Sequence, residues 1–183
     1  MLREMAQKAH DTLDRVGVDY FVIGRMAVPA WGEPVASRDI DLVLVLEKEK
    51  INKLLVELKK EGFKFEHEKV REKLGAGKPA KLRYEEPYSL DLRVATFTID
   101  RQALKRALSF EIFGREWKVA PPEELILYKL GSMKARDIED IKSILKNPNL
   151  KLDWNRMEEL ANTLSKEYSQ DFKERFKKLK TLY

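Results

Sequence analysis

Residues 35–46, VASRDIDLVLVL, place two aspartates inside a run of Ile, Leu and Val that otherwise has the composition of a buried strand. Successive side chains of a strand point to opposite faces of the sheet. Asp39 and Asp41 therefore share one face, and the aliphatic residues between and after them fill the other. Two carboxylates side by side repel each other, so the pattern predicts a positive charge between them.

A second strand-like segment, SLDLRVATFTI (89–99), repeats this arrangement. Alternation puts Ser89, Asp91 and Arg93 on one face. If the two strands are neighbours, three carboxylates form one patch of the kind that Mg²⁺ binds together with substrate phosphates and water. Two such ions can activate an attacking hydroxyl and neutralise a leaving pyrophosphate. The alternative is that the aspartates are solvated and paired with Arg38 or Arg93.

The composition excludes several classes of site and of location. The 183 residues contain no cysteine, which excludes disulfides, zinc–thiolate sites and cysteine nucleophiles. The two histidines lie far apart in the sequence, so a histidine-based metal site is not expected. No apolar run approaches the roughly 20 residues that span a membrane, and the N-terminus lacks the apolar segment of a secretory signal. We therefore expect a cytoplasmic protein without a membrane partner.

Charged residues make up 37% of the chain, and Lys and Glu dominate them. Ion-pair networks gain value at high temperature because desolvating charges then costs less. This composition predicts a thermophilic protein. The net charge of +5 is compatible with a polyanionic partner but does not require one.

Local patterns predict an α+β fold, with a mixed sheet flanked by helices and a helical section at the C-terminus. Helices are predicted over 2–16, 48–60, 101–108, 121–133 and 136–148, with one or two more from 153 onward. Strands are predicted over 18–24, 38–46 and 89–99, within 63–86 on both sides of a glycine loop at 75–79, and as a hairpin over 109–120. We predict two parts, a core over 1–120 and a helical section over 121–183 packed on it.

The segment FVIGRMAVPAWGEPVASRDIDLVLVL (21–46) resembles the signature of the nucleotidyltransferase superfamily that includes DNA polymerase beta. In that family a strand ends in a glycine turn, a short helix follows, and a strand bearing Asp-x-Asp comes next. The resemblance is closest to AbiEii-like toxins and related minimal nucleotidyltransferases. The matching positions are Gly24, Ala27, Gly32, Ser37, Asp39, Asp41 and Asp91, followed downstream by Lys129, Lys134, Arg136, Asp137 and Asp140.

This resemblance implies the transfer of a nucleoside monophosphate from an NTP to a hydroxyl acceptor, with release of pyrophosphate. It makes Asp39, Asp41 and Asp91 the catalytic residues and the ligands of Mg²⁺, or alternatively Mn²⁺. Asp91 is then the third ligand or the base that orients the acceptor. The nucleotide-binding residues that it implies are Gly24, Arg25, Ser37, Arg38, Lys129 and Lys134. The acceptor stays open between an RNA end such as that of a tRNA, a protein and a small molecule, as do an antitoxin partner and the oligomeric state.

Three segments also have plainer interpretations. Lys129 sits beside an apolar helical stripe, where a lysine is commonly a solvated edge residue. Asp137 and Asp140 lie near the start of a predicted helix, where they favour its dipole. The basic residues of the tail, 173–180, are interpreted as the solvated face of an amphipathic helix. The alternative interpretation is that they contact RNA phosphates.

Arg25 departs from the family pattern, which has Gly or Ser at this position. Its guanidinium could hold a phosphate through two hydrogen bonds, or its bulk could crowd the loop. Val35 likewise replaces an arginine of the toxin-like branch. A second hypothesis is therefore a catalytically silent protein of the same fold that binds nucleotide, RNA or a partner protein, and a third is a purely structural subunit.

Overall fold

The computed structural model describes residues 1–168 and 171–182. Within these ranges one six-stranded mixed sheet has the order β3-β4-β2-β1-β6-β5. Its strands are β1 (Asp19–Ile23), β2 (Asp39–Val45), β3 (Ala80–Arg83), β4 (Ser89–Val94), β5 (Leu108–Ile112) and β6 (Arg115–Val119). β2 is antiparallel to β1 and parallel to β4.

Helices cover the sheet, in keeping with the α+β class that the sequence predicts. In the described part of the chain they are α1 (Leu2–Val16), α2 (Lys48–Lys60), α3 (His67–Gly75), α4 (Thr98–Arg106), α5 (Pro122–Ser132), α6 (Ala135–Leu145), α7 (Trp154–Tyr168) and α8 (Phe172–Leu182). A short 3₁₀ helix, Arg25–Ala30, connects β1 to the loop before β2. The fold class and most of these elements were predicted from local periodicity.

Alternation along β2 decides which side of the sheet carries polar groups. Ile40, Leu42 and Leu44 are almost completely buried, whereas Asp39 and Asp41 on the other face are partly exposed. Phe21 of β1 lies two residues from the partner of Asp41, so it points to the same face. Tyr128 of α5 stacks on Phe21 with ring centroids 6.4 Å apart. The start of the C-terminal helical section therefore packs beside the acidic residues.

The structure corrects the prediction for residues 63–86. Instead of strands on both sides of the glycine loop, helix α3 occupies His67–Gly75, and only Ala80–Arg83 forms a strand. Val70 and Leu74 are buried one helical turn apart, and this pair is the apolar side of the helix. With only two apolar residues in nine, the amphipathic pattern is too weak to recognise from the sequence.

The segment 89–99 is also shorter as a strand than predicted. β4 ends at Val94, and α4 begins at Thr98 rather than at residue 101. The backbone N–H groups of Thr96 and Phe97 donate to the Asp100 carboxylate at 3.0 and 3.1 Å. Asp100 is the third residue of the helix, and its carboxylate reaches back to the backbone of the N-cap residue Phe97. This contact starts the helix early, in a stretch whose alternating pattern favours a strand.

In the described ranges, no helix has the length and apolar character needed to cross a membrane.

Candidate active site

Three aspartates lie on one face of the sheet at its centre. Asp41 of β2 stands opposite Asp91 of β4, and Asp39 stands opposite Ser89. Directly paired residues of neighbouring strands project to the same side. This register meets the condition on which the three-carboxylate patch depends, namely that the two acidic strands are neighbours.

Lys81 of β3, a residue that the sequence did not single out, adds a positive charge to this patch. Its Nζ lies 3.4 Å from Asp39 Oδ1 and 3.1 Å from Asp91 Oδ2. It also donates to Ser89 Oγ at 3.1 Å, and the Ser89 hydroxyl donates to Asp39. Lys81 is paired with Asp91 across β3 and β4. Only this register brings Lys81 to the acidic residues, because Lys81 and Asp91 are ten positions apart in the sequence.

The surroundings of Asp41 raise the pKa of its carboxyl group. Burial raises its pKa to about 6, and the negative charges of Asp91 and Asp39 add to the rise, whereas Lys129 and Lys81 oppose it. Across residues 1–168 and 171–182, no hydrogen bond to this carboxylate offsets the effect. Burial also raises the pKa of Asp91, against the hydrogen bond from Lys81. Carboxylates so placed gain from an added cation.

Gly24 makes room for the Asp41 side chain. It directly follows β1 and has φ +69°, and a Cβ at this position would lie 2.1 Å from Asp41 Oδ2. Any larger residue would displace the carboxylate, and the left-handed backbone would also be strained. The glycine turn and the Asp-x-Asp strand of the sequence motif are therefore in direct contact.

A cavity of about 220 Å³ opens beside Asp41. Its walls come from the turn after β1, from α5 and from the start of α6. The lining residues are Ile23, Gly24, Arg25, Asp41, Tyr128, Lys129, Ser132, Lys134, Arg136 and Asp137. Four of the six residues predicted to bind nucleotide are thus brought together, although they come from three separate parts of the chain.

Lys129 is buried rather than solvated at an edge. It is 4% exposed, and its Nζ lies 2.8 Å from Asp140 Oδ2 and 3.5 Å from Asp137 Oδ1. Asp140 Oδ1 also lies 3.6 Å from Arg25 Nε, a buried nitrogen that has no hydrogen-bond partner among the residues described. The two acids of α6 therefore compensate two cations at the cavity wall, and Asp140 joins Arg25 to Lys129.

Ser37 and Arg38 lie apart from this cavity. The Ser37 hydroxyl donates to the carbonyl of Asp39 at 2.8 Å and accepts from its N–H at 3.3 Å. This local hydrogen bonding shapes the entry into β2. Arg38 is exposed. The structure does not bring these two predicted nucleotide-binding residues to the cavity walls.

The carboxylates suit a divalent cation by their chemistry. Asp39, Asp41 and Asp91 offer hard oxygen ligands on one face, of the type that Mg²⁺ prefers. The contact between Gly24 and Asp41 holds one of these ligands next to the cavity. In the described ranges, no three His, Cys, Asp or Glu side chains are arranged, as they stand, so that they could hold a metal ion. Lys81 and Ser89 engage Asp39 instead.

Similar solved structures have the same fold. The lincosamide antibiotic adenylyltransferase LnuA, solved with lincomycin bound, has a TM-score of 0.56 and 20% identity, over 78% of this chain and 95% of its own. ANT(2″)-Ia in complex with adenylyl-2″-tobramycin has a TM-score of 0.54 and 16% identity, over 91% and 98%. An antigenic nucleotidyltransferase-like protein from Paracoccidioides brasiliensis has a TM-score of 0.52 and 19% identity, over 96% and 92%. At such low identity these likenesses establish the fold alone.

No curated protein matches the sequence. Residues 2–178 match the family described as nucleotidyl transferase of unknown function (DUF2204). This match covers nearly the whole sequence and includes the glycine turn, the acidic strands and the cavity. The chain therefore belongs to this nucleotidyl transferase family, and it is a nucleotidyltransferase of the superfamily that its motifs resemble.

Proposed function

We propose that the protein transfers a nucleoside monophosphate from an NTP to a hydroxyl acceptor and releases pyrophosphate. The observation that supports this most is the position of the acidic face next to a cation-lined cavity. Asp41 belongs to both, since it stands beside Asp91 in the sheet and also lines the cavity. Transfer requires a triphosphate site and an acceptor site that adjoin each other, because the acceptor oxygen must reach the α-phosphorus of the bound NTP.

The reaction exchanges one phosphorus–oxygen bond for another. The acceptor oxygen bonds to the α-phosphorus, and the bond from that phosphorus to the bridging oxygen breaks, so pyrophosphate carries away the electron pair. The acceptor proton passes to a base, and Asp91 is our candidate for orienting or accepting it, since burial raises its pKa. A divalent cation held by Asp39 and Asp41, with Asp91 as third ligand if it is not the base, would supply Lewis-acid stabilisation of the phosphate charge.

The residues of the cavity provide groups that can bind the triphosphate. The turn at Gly24 lets the backbone approach a phosphate without a side chain in the way. The exposed Lys134 stands at the N-terminus of α6, where the helix dipole also favours an anion. Arg25 and Lys129 add positive charge, although Asp140 already compensates part of it. We assign Arg25, Lys129 and Lys134 to the nucleotide.

The test is a transfer assay with α-labelled NTPs, Mg²⁺ or Mn²⁺, and separate pools of RNA, protein and small metabolites. We expect label in one of the pools, and we expect Asp39→Asn to lower the rate by about a hundredfold or more. Asp19→Asn is the matched control, because Asp19 is an exposed aspartate of the same sheet that pairs with Lys118. It should transfer at the rate of the unchanged protein.

Two results would contradict the proposal. One is nucleotide binding without transfer to any pool, which would favour the catalytically silent hypothesis. The other is transfer that Asp39→Asn leaves unchanged. The AbiEii-like branch, the choice of metal and the thermophilic origin stay predictions.

A further inference from the structure

A basic groove runs along the free edge of the sheet, between β3 and α3. It has a volume of about 530 Å³. Its lining residues are Lys64, Phe65, Glu66, Lys69, Val70, Lys73, Ala80, Lys81 and Arg83. Five of these nine are cationic and one is acidic, so the groove presents a local excess of positive charge.

Charges are sorted on α3 so that the lysines face this groove. Lys69 and Lys73 are one turn apart and both line it. The neighbouring acids Glu68 and Glu72 are also one turn apart but do not line it, and Glu68 is held by Arg71 at 2.6 Å. Glu66, the acid of the groove, lies 3.6 Å from Lys69. Helix α3 carries both acidic and basic residues, but the side that faces the groove is positively charged.

An aromatic ring lies among these cations. Phe65 is partly exposed on the groove wall and stacks with His67, with ring centroids 6.2 Å apart. Lys59 Nζ lies over the Phe65 ring, 5.9 Å from its centroid. A positively charged groove with an aromatic ring is the usual combination for single-stranded nucleic acid, since cations hold the phosphates and the ring stacks with a base.

The edge of β3 leaves little room for a peptide strand. The backbone groups of Arg83 already pair with Lys64 at 2.7 and 3.1 Å. Only alternate residues of an edge strand direct their N–H and C=O groups outward, so Lys81 is the one other residue of this four-residue strand that can do so. Binding by strand addition needs a longer run of open edge. The groove therefore favours side-chain recognition of a polyanion.

Lys81 joins the groove to the acidic face. It lines the groove, and its Nζ lies 3.1 Å from Asp91 Oδ2. On the opposite side of Asp91, Asp41 borders the cation-lined cavity. The groove and the cavity thus approach the carboxylates from two sides.

We propose that the groove binds a single-stranded nucleic acid, and that the end of this strand is the hydroxyl acceptor. Lys64, Lys69, Lys73 and Arg83 contact its phosphates, and a base stacks on Phe65. The strand then ends beside Asp91, where its terminal hydroxyl meets the nucleotide. This inference rests on the proposed function, because it names the acceptor of that same site.

The binding test uses the full chain without NTP, so no transfer takes place. Fluorescence anisotropy measures the affinity for a labelled single-stranded RNA of about 12 nucleotides at several salt concentrations. We expect Lys69→Glu/Lys73→Glu to weaken binding more than tenfold and to lower the slope of log affinity against log salt by about 1.4, since each lost phosphate contact removes about 0.7 for a single strand.

The matched control is Lys173→Glu/Lys177→Glu, on the exposed side of α8. It makes the same change in net charge with the same helical spacing, and it also tests the basic tail as a rival RNA surface. Its affinity should stay within about twofold of the unchanged protein. Lys69→Gln/Lys73→Gln repeats the experiment without new negative charge, and circular dichroism verifies that each variant is folded.

Phe65→Leu separates stacking from charge. It should weaken binding by roughly fivefold or more while leaving the salt slope unchanged, because stacking releases no counterions. DNA of the same sequence and the corresponding duplex are further arms. Equal binding of the duplex would contradict recognition of a single strand.

The proposal would be overturned if the unchanged protein did not bind RNA, or if it bound polyglutamate as tightly as RNA. It would also be overturned if the Lys173/Lys177 variant lost as much RNA affinity as the Lys69/Lys73 variant, or if it alone lost affinity. RNA binding without labelled transfer would refute the proposed function and, with it, the acceptor role of the strand, and would leave the groove as a binding site for nucleic acid. Transfer to a small molecule without RNA binding would refute only this inference.

Discussion

Gly24 lies at the contact between the two halves of the sequence motif, and its substitution is a direct test of that contact. Gly24→Ala places a Cβ 2.1 Å from Asp41 Oδ2 at a residue with φ +69°. We expect a loss of about 1–3 kcal/mol in the free energy of unfolding. Transfer should fall as well, because the carboxylate must move. Urea unfolding and the labelled-NTP assay measure the two effects.

Gly17→Ala is the control, because Gly17 has a similar φ of +72°, and apart from its own chain neighbours no described atom lies within 4 Å of its added Cβ. It should cost backbone strain of about 1 kcal/mol and leave transfer unchanged. If both variants transferred at the normal rate, the contact between Gly24 and Asp41 would have no role in the chemistry.

Lys81 gives a second prediction at this scale. Its ammonium neutralises Asp39 and Asp91, so it competes with any other cation for them. Lys81→Met should therefore tighten Mn²⁺ or Mg²⁺ binding, by about two- to fivefold for a solvent-exposed pair. Isothermal titration calorimetry measures this without nucleotide.

Arg83→Met is the comparison, because Arg83 lies on the same strand and face but pairs with Glu86 at 3.8 Å. Metal affinity should not change there. Weaker metal binding in Lys81→Met would mean that the lysine organises the carboxylates rather than competing for them.

At the scale of elements, a buried ion pair fixes α4 and α5 to the sheet beside the site. Arg93 of β4 donates to both oxygens of Asp100 in α4 at 2.6 and 2.7 Å, and Tyr128 of α5 donates to the same carboxylate at 2.8 Å. Asp100 is fully buried. Removing its charge leaves Arg93 uncompensated, so we expect Asp100→Asn to cost about 3 kcal/mol in unfolding free energy.

The same pair predicts how stability depends on pH. Burial alone would raise the pKa of Asp100, but the Arg93 contact and the hydrogen bonds from Tyr128 and the Phe97 N–H hold it below its usual value. The contribution of a carboxylate with a lowered pKa is fully present above its unfolded pKa of about 3.9. It is lost as the pH falls through the lower folded value.

Unfolding of the unchanged protein and of Asp100→Asn should therefore converge as the pH drops below about 4. Urea titrations at several pH values measure the difference. Asp11→Asn is the control, since Asp11 pairs with Arg115 at a solvent-exposed position, and water screens that pair. A difference between the unchanged protein and Asp100→Asn that stays constant to low pH would contradict the assignment of this charge.

At the scale of the whole molecule, the abundance of Lys and Glu predicts high thermal stability. Exposed pairs recur over the described surface, as in Arg15 with Glu61 at 3.1 Å and Lys180 with Glu158 at 3.1 Å. Ion pairs gain value with temperature because desolvation costs less. We expect a melting temperature above about 70 °C, outside the usual mesophilic range. A calorimetric midpoint near 55 °C would contradict the thermophilic interpretation.

Most of the fold was predictable where the apolar pattern is strong. The periodicity of residues 2–16 and 48–60 gave α1 and α2, and the turn at Gly114 gave the hairpin of β5 and β6. The prediction failed at α3, where mostly charged residues leave almost no apolar periodicity to recognise. It also failed at the start of α4, which depends on the contact of Asp100 with the backbone. Both depend on contacts that a local pattern does not contain.

The sequence by itself determined that Asp39 and Asp41 share a face and that a glycine turn precedes them, because the two-residue period of a strand and the φ freedom of glycine are local properties. Only the tertiary structure decided that Asp91 and Lys81 meet these acids, that Lys129 is buried against Asp140, and that Ser37 lies outside the cavity. The order and register of the strands decide the first, and the packing of helices on the sheet decides the others. Both are set by the summed burial of the whole chain, which no single segment encodes.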